Sequence, residues 1–203
     1  MKLRGFTIAE LASTFIIIGV LAILFWQLVF LNYTKRAASS KIRKFHSLMK
    51  QVQIKAQTDE SDWLDYYFDP NSISSGDVFL EKYILPYVTY LKKTVDEDGN
   101  VKVFLADTSS LSVKKEDCMT FAFDINQNKP PNEDGKDIFY FVYCPKTNTS
   151  FFKQGDFVPY LQTDIDGRAA AKIKCKDEPK TCSGFISFDD FNIGDDYPFK
   201  IPG

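Results

Sequence analysis

The chain has 203 residues and a formal net charge of −2, with 44 % hydrophobic and 15 % aromatic residues. This length suits one domain of ordinary size, or one domain plus an appendage, and the aromatic content argues against intrinsic disorder. The hydrophobic residues are unevenly distributed, because residues 11–34 carry no charged side chain while the remainder is rich in Lys, Asp and Glu. This split disfavours both a fully soluble protein and a polytopic membrane protein.

One membrane-spanning helix is predicted near the N-terminus. The uncharged run of 24 residues at 11–34 would extend about 36 Å as a helix, against a hydrocarbon core of about 30 Å. A secretory signal peptide is one alternative, but its apolar region usually covers only about 7–15 residues and ends in a small-residue cleavage site. A plain signal anchor is the second alternative. Neither accounts for the sequence that precedes the run.

That preceding sequence, R-G-F-T-I-A-E at residues 4–10, resembles the class III signal of type IV pilins and type II secretion pseudopilins. The resemblance covers residues 4–31 and implies cleavage by prepilin peptidase between Gly5 and Phe6, followed by N-methylation of Phe6. It also implies that Glu10 pairs with the terminal amine of a neighbouring subunit during assembly. The alternative for Glu10 is an interfacial carboxylate that caps its own helix, because the helix dipole favours an anion in the first turn.

The resemblance implies a domain organisation and a set of partners. The expected segments are a leader at 1–5, a transmembrane helix at 6–34, an amphipathic continuation at 35–57 and a globular head at 58–203. Many major pilins carry a proline midway along the span, whereas Gln27 stands near that place here, which favours a pseudopilin over a major fibre subunit. The implied partners are other pilin or pseudopilin subunits, prepilin peptidase, an inner-membrane assembly platform and membrane lipid. No nucleic acid is expected, because the head is acidic.

Residues 35–57, called the neck below, are predicted to continue the helix with one apolar face. Apolar residues recur at spacings of four and three, at Ala38, Ile42, Phe45, Met49 and Val52. The neck carries seven basic residues and no acidic one, while the chain from residue 59 onward has 16 basic and 26 acidic residues, a net charge of −10. Two interpretations stay open: the neck of one subunit faces the acidic head of another, or the neck is attracted to anionic phospholipid.

The expected topology is a single pass through the inner membrane, with a cytoplasmic N-terminus and a periplasmic or extracellular head. The positive-inside rule alone would place the neck in the cytoplasm, because more basic residues follow the run than precede it. The processing motif and the four cysteines outweigh that count, since disulfides persist in oxidising compartments.

The head is predicted to be an antiparallel sheet, which makes the fold α+β with the long helix packed on it, as in the ladle shape of pilins. A short helix is expected from Ser74 or Ser75 to about Leu85, a hairpin turn at 96–100 and a strand at 101–106. The run at 118–125 alternates in polarity as a strand does, and the aromatic run at 138–144 is its expected antiparallel partner.

The cysteines and the aromatic residues favour one register for these two strands. If Cys118 lies opposite Cys144, Phe121 faces Phe141 and Phe123 faces Phe139, which are stabilising cross-strand pairs. This register supports a Cys118–Cys144 bridge and leaves Cys175 with Cys182, although four cysteines allow three connectivities. Zinc is the alternative use of four cysteines, but no C-x-x-C pair is present. The late disulfide loop resembles the C-terminal disulfide region of pilins.

The loop between the paired strands offers hard oxygen ligands at alternating positions, which suit Ca²⁺. The candidate ligands are Asp124, Asn126, Asn128, Asn132 and Asp137, with Asp134 nearby. The alternative is a long hairpin turn held by Asx and Pro chemistry. No cofactor is otherwise required.

Catalysis is not expected, because the only histidine, His46, lies on the neck and is interpreted as a surface or flank residue. No glycine-rich phosphate loop is present. The function predicted from the sequence is therefore structural: a processed subunit assembled into a type II secretion pseudopilus or a type IV pilus-like filament. The alternative is a membrane-tethered binding or adhesin domain that does not polymerise.

Overall fold

The computed structural model describes residues 7–59, 75–97, 99–115, 118–127, 129–144 and 151–202. Within them the fold is α+β, with a long N-terminal helix packed against a six-stranded antiparallel sheet. The predicted α+β class, the antiparallel sheet and the two disulfides are confirmed.

The elements follow one another in a simple order. Helix α1 spans Ile8–Asp59, and helix α2 spans Ser75–Phe79 before a π-helical turn at Leu80–Ile84 and a 3₁₀ turn at Leu85–Tyr87. The strands are β1 (Tyr90–Val95), β2 (Val101–Leu105), β3 (Ser110–Lys115), β4 (Met119–Asp124), β5 (Ile138–Tyr143) and β6 (Phe157–Pro159). Helix α3 (Arg168–Asp177), a 3₁₀ turn (Pro179–Thr181) and helix α4 (Cys182–Ser187) end the regular structure. Each strand pairs with the next in the chain, in the order β1 to β6.

The apolar face of the neck packs on the sheet as its spacing predicts. All five stripe residues are at most 3 % exposed, and Ala56 extends the stripe by one further turn. The contact is aromatic at its centre, because the ring of Phe45 stacks on Phe123 with centroids 4.1 Å apart and meets Phe141 edge-on at 5.3 Å. These three rings join α1 to the adjacent strands β4 and β5.

The predicted register of the aromatic strands is confirmed. Phe121 lies opposite Phe141 and Phe123 lies opposite Phe139 in the β4–β5 ladder. Alternation then places these rings on the face that meets α1, while Ala122 and Tyr140 pair on the opposite face.

Both disulfides have the predicted pairing. Cys118–Cys144 closes the open end of the β4–β5 hairpin, and Cys175–Cys182 joins α3 to α4. The hairpin loop approaches the second bridge so closely that a Cβ at Gly135 would lie 3.0 Å from the Cys182 sulfur. Gly135 has a φ of 73°, which also favours glycine at this position.

The short helix and the hairpin turn lie where the sequence places them, but strands β3 and β6 and helices α3 and α4 were not predicted. Strand β3 has only Leu111 and Val113 as inward apolar residues, a pattern too short to separate from a loop. Helix α3 begins after Gly167, which provides no side-chain cap, so the usual start signal is missing.

We expect Phe45→Ala to lower the free energy of unfolding by about 3–5 kcal/mol, because it removes a buried ring from the helix–sheet contact. The matched control on the same helix is Ile54→Ala, since Ile54 is 64 % exposed and should change stability by less than about 0.5 kcal/mol. Denaturant unfolding of the full chain in detergent micelles measures both. Equal losses in the two variants would contradict this account of the core.

Candidate functional site

Helix α1 begins with an apolar stretch, Ile8–Phe25. This stretch has a mean hydropathy of 2.4 over 18 residues, and the described part of the protein buries none of it. It is long and apolar enough to cross a membrane. The second half of the same helix supplies the core stripe, so one continuous helix serves two environments.

Glu10 caps the helix that contains it. Its carboxylate accepts hydrogen bonds from the backbone N–H of Thr7 at 2.8 Å and from the Thr7 hydroxyl at 2.9 Å, while the Glu10 N–H donates to the Thr7 oxygen at 3.3 Å. This reciprocal pattern is a capping box of the form T-x-x-E, a signal that is present in the sequence itself. The capping alternative for Glu10 therefore has a geometric basis, and pairing with a second subunit stays a prediction. Gly5 and Phe6 lie outside the described residues.

Several neck cations contact the acidic head of their own chain. Lys35 pairs with Asp195 at 2.9 Å, and Lys50 pairs with Asp156. Arg43 donates two hydrogen bonds to the backbone oxygen of Asp190, at 2.7 and 2.9 Å. The head of the same chain thus supplies acidic partners for the neck, which neither of the two interpretations from the sequence includes.

The pairing with Lys50 affects the ionisation of Asp156. Burial opposes ionisation of this carboxyl group, but the hydrogen bonds from Lys50 and Lys153 outweigh burial and lower the pKa of Asp156. The Asp156 carboxylate therefore remains charged at neutral pH, and its contact with Lys50 anchors β6 to α1 at this level of the neck.

The C-terminal tail, residues 188–202, crosses the neck and is held from two sides. Asp190 and Asp195 contact α1, whereas Asp189 and Asp196 both bind Arg168 at the start of α3. Arg168 donates to Asp189 at 2.6–2.9 Å and to Asp196 at 2.9–3.0 Å. These hydrogen bonds outweigh the smaller effect of burial and hold the pKa of Asp196 well below its usual range.

A reversed backbone positions the tail on α1. Asp190 and Phe191 have φ values of 51° and 60°, a conformation that is uncommon for a non-glycine residue and rarer for a bulky one. The reversal directs the Asp190 carbonyl towards Arg43 and buries the Phe191 ring against the neck. Two residues later, the backbone N–H of Ile193 donates to the Ser39 hydroxyl oxygen at 2.9 Å.

His46 lies at the flank of the apolar stripe and packs against aromatic rings. It is half-buried, with its ring centroid 4.6 Å from that of Phe191 and 5.9 Å from that of Phe141. Burial, followed by the nearby charge of Lys50, lowers the pKa of His46, while Asp156 and Asp190 act in the opposite direction. His46 is therefore a packing residue between the tail and the sheet.

The loop proposed for Ca²⁺ is organised around Asp137. This side chain is 0 % exposed, and its carboxylate accepts the backbone N–H groups of Asn132 at 2.9 Å and Glu133 at 2.7 Å. The side-chain amide of Asn126 donates to it at 3.2 Å. A carboxylate surrounded by N–H donors supports a turn, as the alternative interpretation of the loop requires.

The remaining candidate ligands do not form an oxygen cage in the described part of the loop. Asp124 accepts the Asn126 N–H at 2.9 Å, and burial raises the pKa of Asp124. Asp134 accepts the Tyr140 hydroxyl at 2.8 Å, and Asn128 lies outside the described residues. Among the residues that the structure describes, no three acidic, Cys or His side chains converge. Calcium binding at this loop therefore stays a prediction.

A family comparison covers most of the chain. Residues 28–201 match the profile of DUF6613, a family of unknown function. The chain belongs to this family. The match includes the neck and the head but begins after the processing motif and most of the apolar run. No curated protein and no solved structure matches the DUF6613 chain.

We expect Asp137→Asn to destabilise the protein by about 1.5–3 kcal/mol, because an amide nitrogen would replace an oxygen that accepts buried N–H groups. Thermal unfolding of the full chain should show the same loss with a calcium chelator and with millimolar Ca²⁺, with Mg²⁺ as the matched ion. A loss that appears only when Ca²⁺ is present would instead identify Asp137 as an ion ligand.

We expect stability to fall as the pH is lowered from 7 towards 5. The unfolded chain binds a proton at His46 near pH 6.5, whereas the folded pKa is lower, so protonation favours unfolding across that interval. The slope from one such group is at most about 1.4 kcal/mol per pH unit. The variant His46→Phe, which keeps an aromatic ring, should show a flatter melting-temperature profile between these pH values. An unchanged profile would show that another group controls this interval.

Proposed function

We propose that this DUF6613 protein is a pilin-like structural subunit, anchored by its N-terminal helix and assembled into a secretion pseudopilus or a pilus-like filament. The observation that carries the proposal is the division of α1 into an exposed apolar half and a half that packs on an antiparallel sheet. The processing motif at residues 4–10 stands directly before the apolar half. A helix of this kind suits exchange between a lipid environment and a bundle of identical helices.

Glu10 would have two roles in such a subunit. Within the monomer its carboxylate accepts the backbone N–H of Thr7, and the Glu10 N–H donates to the Thr7 hydroxyl oxygen. In a bundle, pairing with the terminal amine of a neighbour would neutralise two charges that are costly in an apolar surrounding. The capped state is compatible with this role, because the Glu10 side chain is exposed and can be reached by a neighbouring helix.

The proposed location follows from the processing motif and the disulfides. Prepilin peptidase would cleave between Gly5 and Phe6 on the cytoplasmic side, and the head would lie in the periplasm or outside the cell. Both bridges tie together parts of the head that lie beyond the neck, which suits an oxidising compartment. The assembly platform and the other subunits would be its partners, and its role would be structural rather than catalytic.

A membrane-tethered domain that does not polymerise is the second candidate. The observation in its favour is that the DUF6613 match covers the neck and head but not the processing motif. Such a protein would need the span only as an anchor, and Glu10 only as a helix cap.

Two substitutions at Glu10 distinguish the two candidates. Glu10→Gln keeps a capping oxygen but removes the charge, whereas Glu10→Ala removes both. We expect both variants to enter the membrane and to lose filament incorporation or secretion, because the lost interaction is electrostatic. Incorporation is measured by shearing or by cross-linking of assembled fibres.

The controls for Glu10 separate processing from assembly. Mass spectrometry of each variant should find a chain that begins at Phe6. It also shows whether Phe6 carries a methyl group, and therefore whether methylation requires Glu10. Wild-type behaviour of Glu10→Gln together with failure of Glu10→Ala would assign Glu10 to capping alone. Normal behaviour of both variants would favour the tethered domain.

A further inference from the structure

The face of the sheet that points away from α1 carries a shallow groove, called the outer groove below. Its floor follows one cross-strand row from β1 to β5, in which each residue pairs with the next: Thr94, Lys102, Ser112, Ala122 and Tyr140. Five strands about 4.8 Å apart make this row about 19 Å long. Ser112, Ala122 and Tyr140 are half-buried, whereas Val113 and Phe121 on the inward face are buried.

Two adjoining cavities of about 260 and about 280 Å³ form the outer groove, and Asn100 and Ser112 line both of them. Each cavity is smaller than the volume of about 300–1,000 Å³ that usually holds a small molecule. The second cavity is lined at its middle by short side chains, those of Ser112, Thr120 and Ala122. The groove is therefore shaped for part of an extended chain rather than for a compact ligand.

The charge of the outer groove is opposite to that of the head. The head has a net charge of −10, but the described lining of the two cavities contains one acidic residue, Asp96, and three basic ones: Lys102, Lys114 and Lys180. The Asp96 carboxylate accepts the Asn100 N–H at 2.8 Å and the Asn100 side-chain amide at 2.9 Å, so it stabilises the turn between β1 and β2. A positive lining on a negatively charged head favours an anionic ligand.

Lys180 is held at the β5 end of the outer groove. It lies in the 3₁₀ turn that the Cys175–Cys182 disulfide encloses, so its backbone is constrained. Its Nζ lies 5.4 Å from the centre of the Tyr140 ring, and the Tyr140 hydroxyl donates to Asp134 at 2.8 Å, which fixes the ring. These contacts place the ammonium group where a ligand in the groove would meet it.

The residues between the cations favour a sugar chain over a peptide. Thr94, Asn100, Ser112 and Thr120 line the groove, and their hydroxyl and amide groups can both donate and accept hydrogen bonds, as sugar hydroxyls require. A peptide interface usually has aromatic or large side chains as anchors at its centre. The centre of this groove has serine, threonine and alanine instead.

The aromatic surface of the groove does not favour a single-stranded nucleic acid. Such ligands stack their bases on aromatic rings in a basic groove. Tyr140 is the one aromatic residue in the described lining, and its ring is already contacted by the Lys180 ammonium group and, edge-on, by the Tyr160 ring at 6.3 Å. Little of this ring is left for stacking with a base.

We propose that the outer groove binds an acidic polysaccharide, a chain of sugars that carries carboxylate groups. The Lys180 ammonium group would bind a carboxylate at the β5 end, and the short polar side chains of the floor would hydrogen-bond the sugar hydroxyls. The groove lies on the face of the sheet opposite α1, so binding requires neither the membrane nor assembly. The proposal therefore goes beyond the structural role of the subunit and does not rest on it.

Calorimetric titration of the full chain in detergent micelles with defined oligosaccharides tests the proposal. The probe is oligogalacturonate, and the neutral comparison is a glucose oligomer of the same length. Lys180→Gln removes one cation of the groove, and Ala122→Leu fills its floor without changing the charge. The matched control is Lys176→Gln, which removes the same charge from an exposed position on α3 outside the lining.

We expect oligogalacturonate to bind several-fold more weakly to Lys180→Gln and to Ala122→Leu than to the wild-type chain, and equally well to Lys176→Gln. The neutral oligomer should bind more weakly than oligogalacturonate. Binding of oligogalacturonate should also weaken between about 0.1 and about 1 M salt, because the Debye length falls from about 10 to about 3 Å. Thermal unfolding of each variant confirms that the measured chain is folded.

Several outcomes would overturn the proposal. Equal weakening in Lys176→Gln, or none in the two groove variants, would place the binding elsewhere on the protein. Tighter binding of oligoglutamate or of single-stranded DNA than of oligogalacturonate would assign the groove to an acidic peptide or to a nucleic acid. Absence of binding by all of these anions would exclude an anionic ligand. Because unassembled chains are measured, the result is independent of how the Glu10 variants behave in assembly.

Discussion

The stacking of Phe45 on Phe123 is the contact on which the rest of the molecule depends. It joins a helix of 52 residues to a sheet whose strands β4 and β5 supply five buried rings. Without it, α1 would be an apolar helix with a basic extension and no fixed relation to the head. With it, the neck has a fixed position on the sheet, and each of its side chains has a defined position and direction relative to the head.

Ion pairs with the C-terminal tail neutralise cations on the neck. Asp190 contacts Arg43, and Asp195 contacts Lys35. The sequence neighbours of these two aspartates, Asp189 and Asp196, both form ion pairs with Arg168. The acidic tail thereby connects α3 to α1. Its negative charges compensate positive charges on the neck and on α3, which is consistent with a net charge of only −2 for the chain.

The sequence predicted those features that repeat at a fixed period or are limited by covalent geometry. The neck stripe follows a helical period, and the β4–β5 register is specified twice, by Cys118 with Cys144 and by Phe121 with Phe141. The tail could not be predicted in this way, because its path depends on two left-handed residues and on Arg168, more than twenty residues earlier in the chain. The cap at Glu10 is different. The T-x-x-E pattern is present in the sequence, but the same glutamate also matches the assembly residue of the family that the sequence resembles, so the sequence leaves both roles open.

The tail also determines where a force applied along α1 would first act on the head. A force along α1 passes from the apolar half into the neck, and the first head contacts it meets are those of Lys35, Ser39 and Arg43 with the tail. The disulfide between Cys175 and Cys182 fastens α3 to α4 behind the tail, and Arg168 connects that bridged unit to Asp189 and Asp196. Polar contacts of this kind break and re-form at modest cost, whereas the buried rings above them do not. In the proposed assembly, the lower neck would therefore be the part of the interface best suited to adjust as the helix exchanges lipid for protein neighbours, while the Phe45 contact preserves the fold.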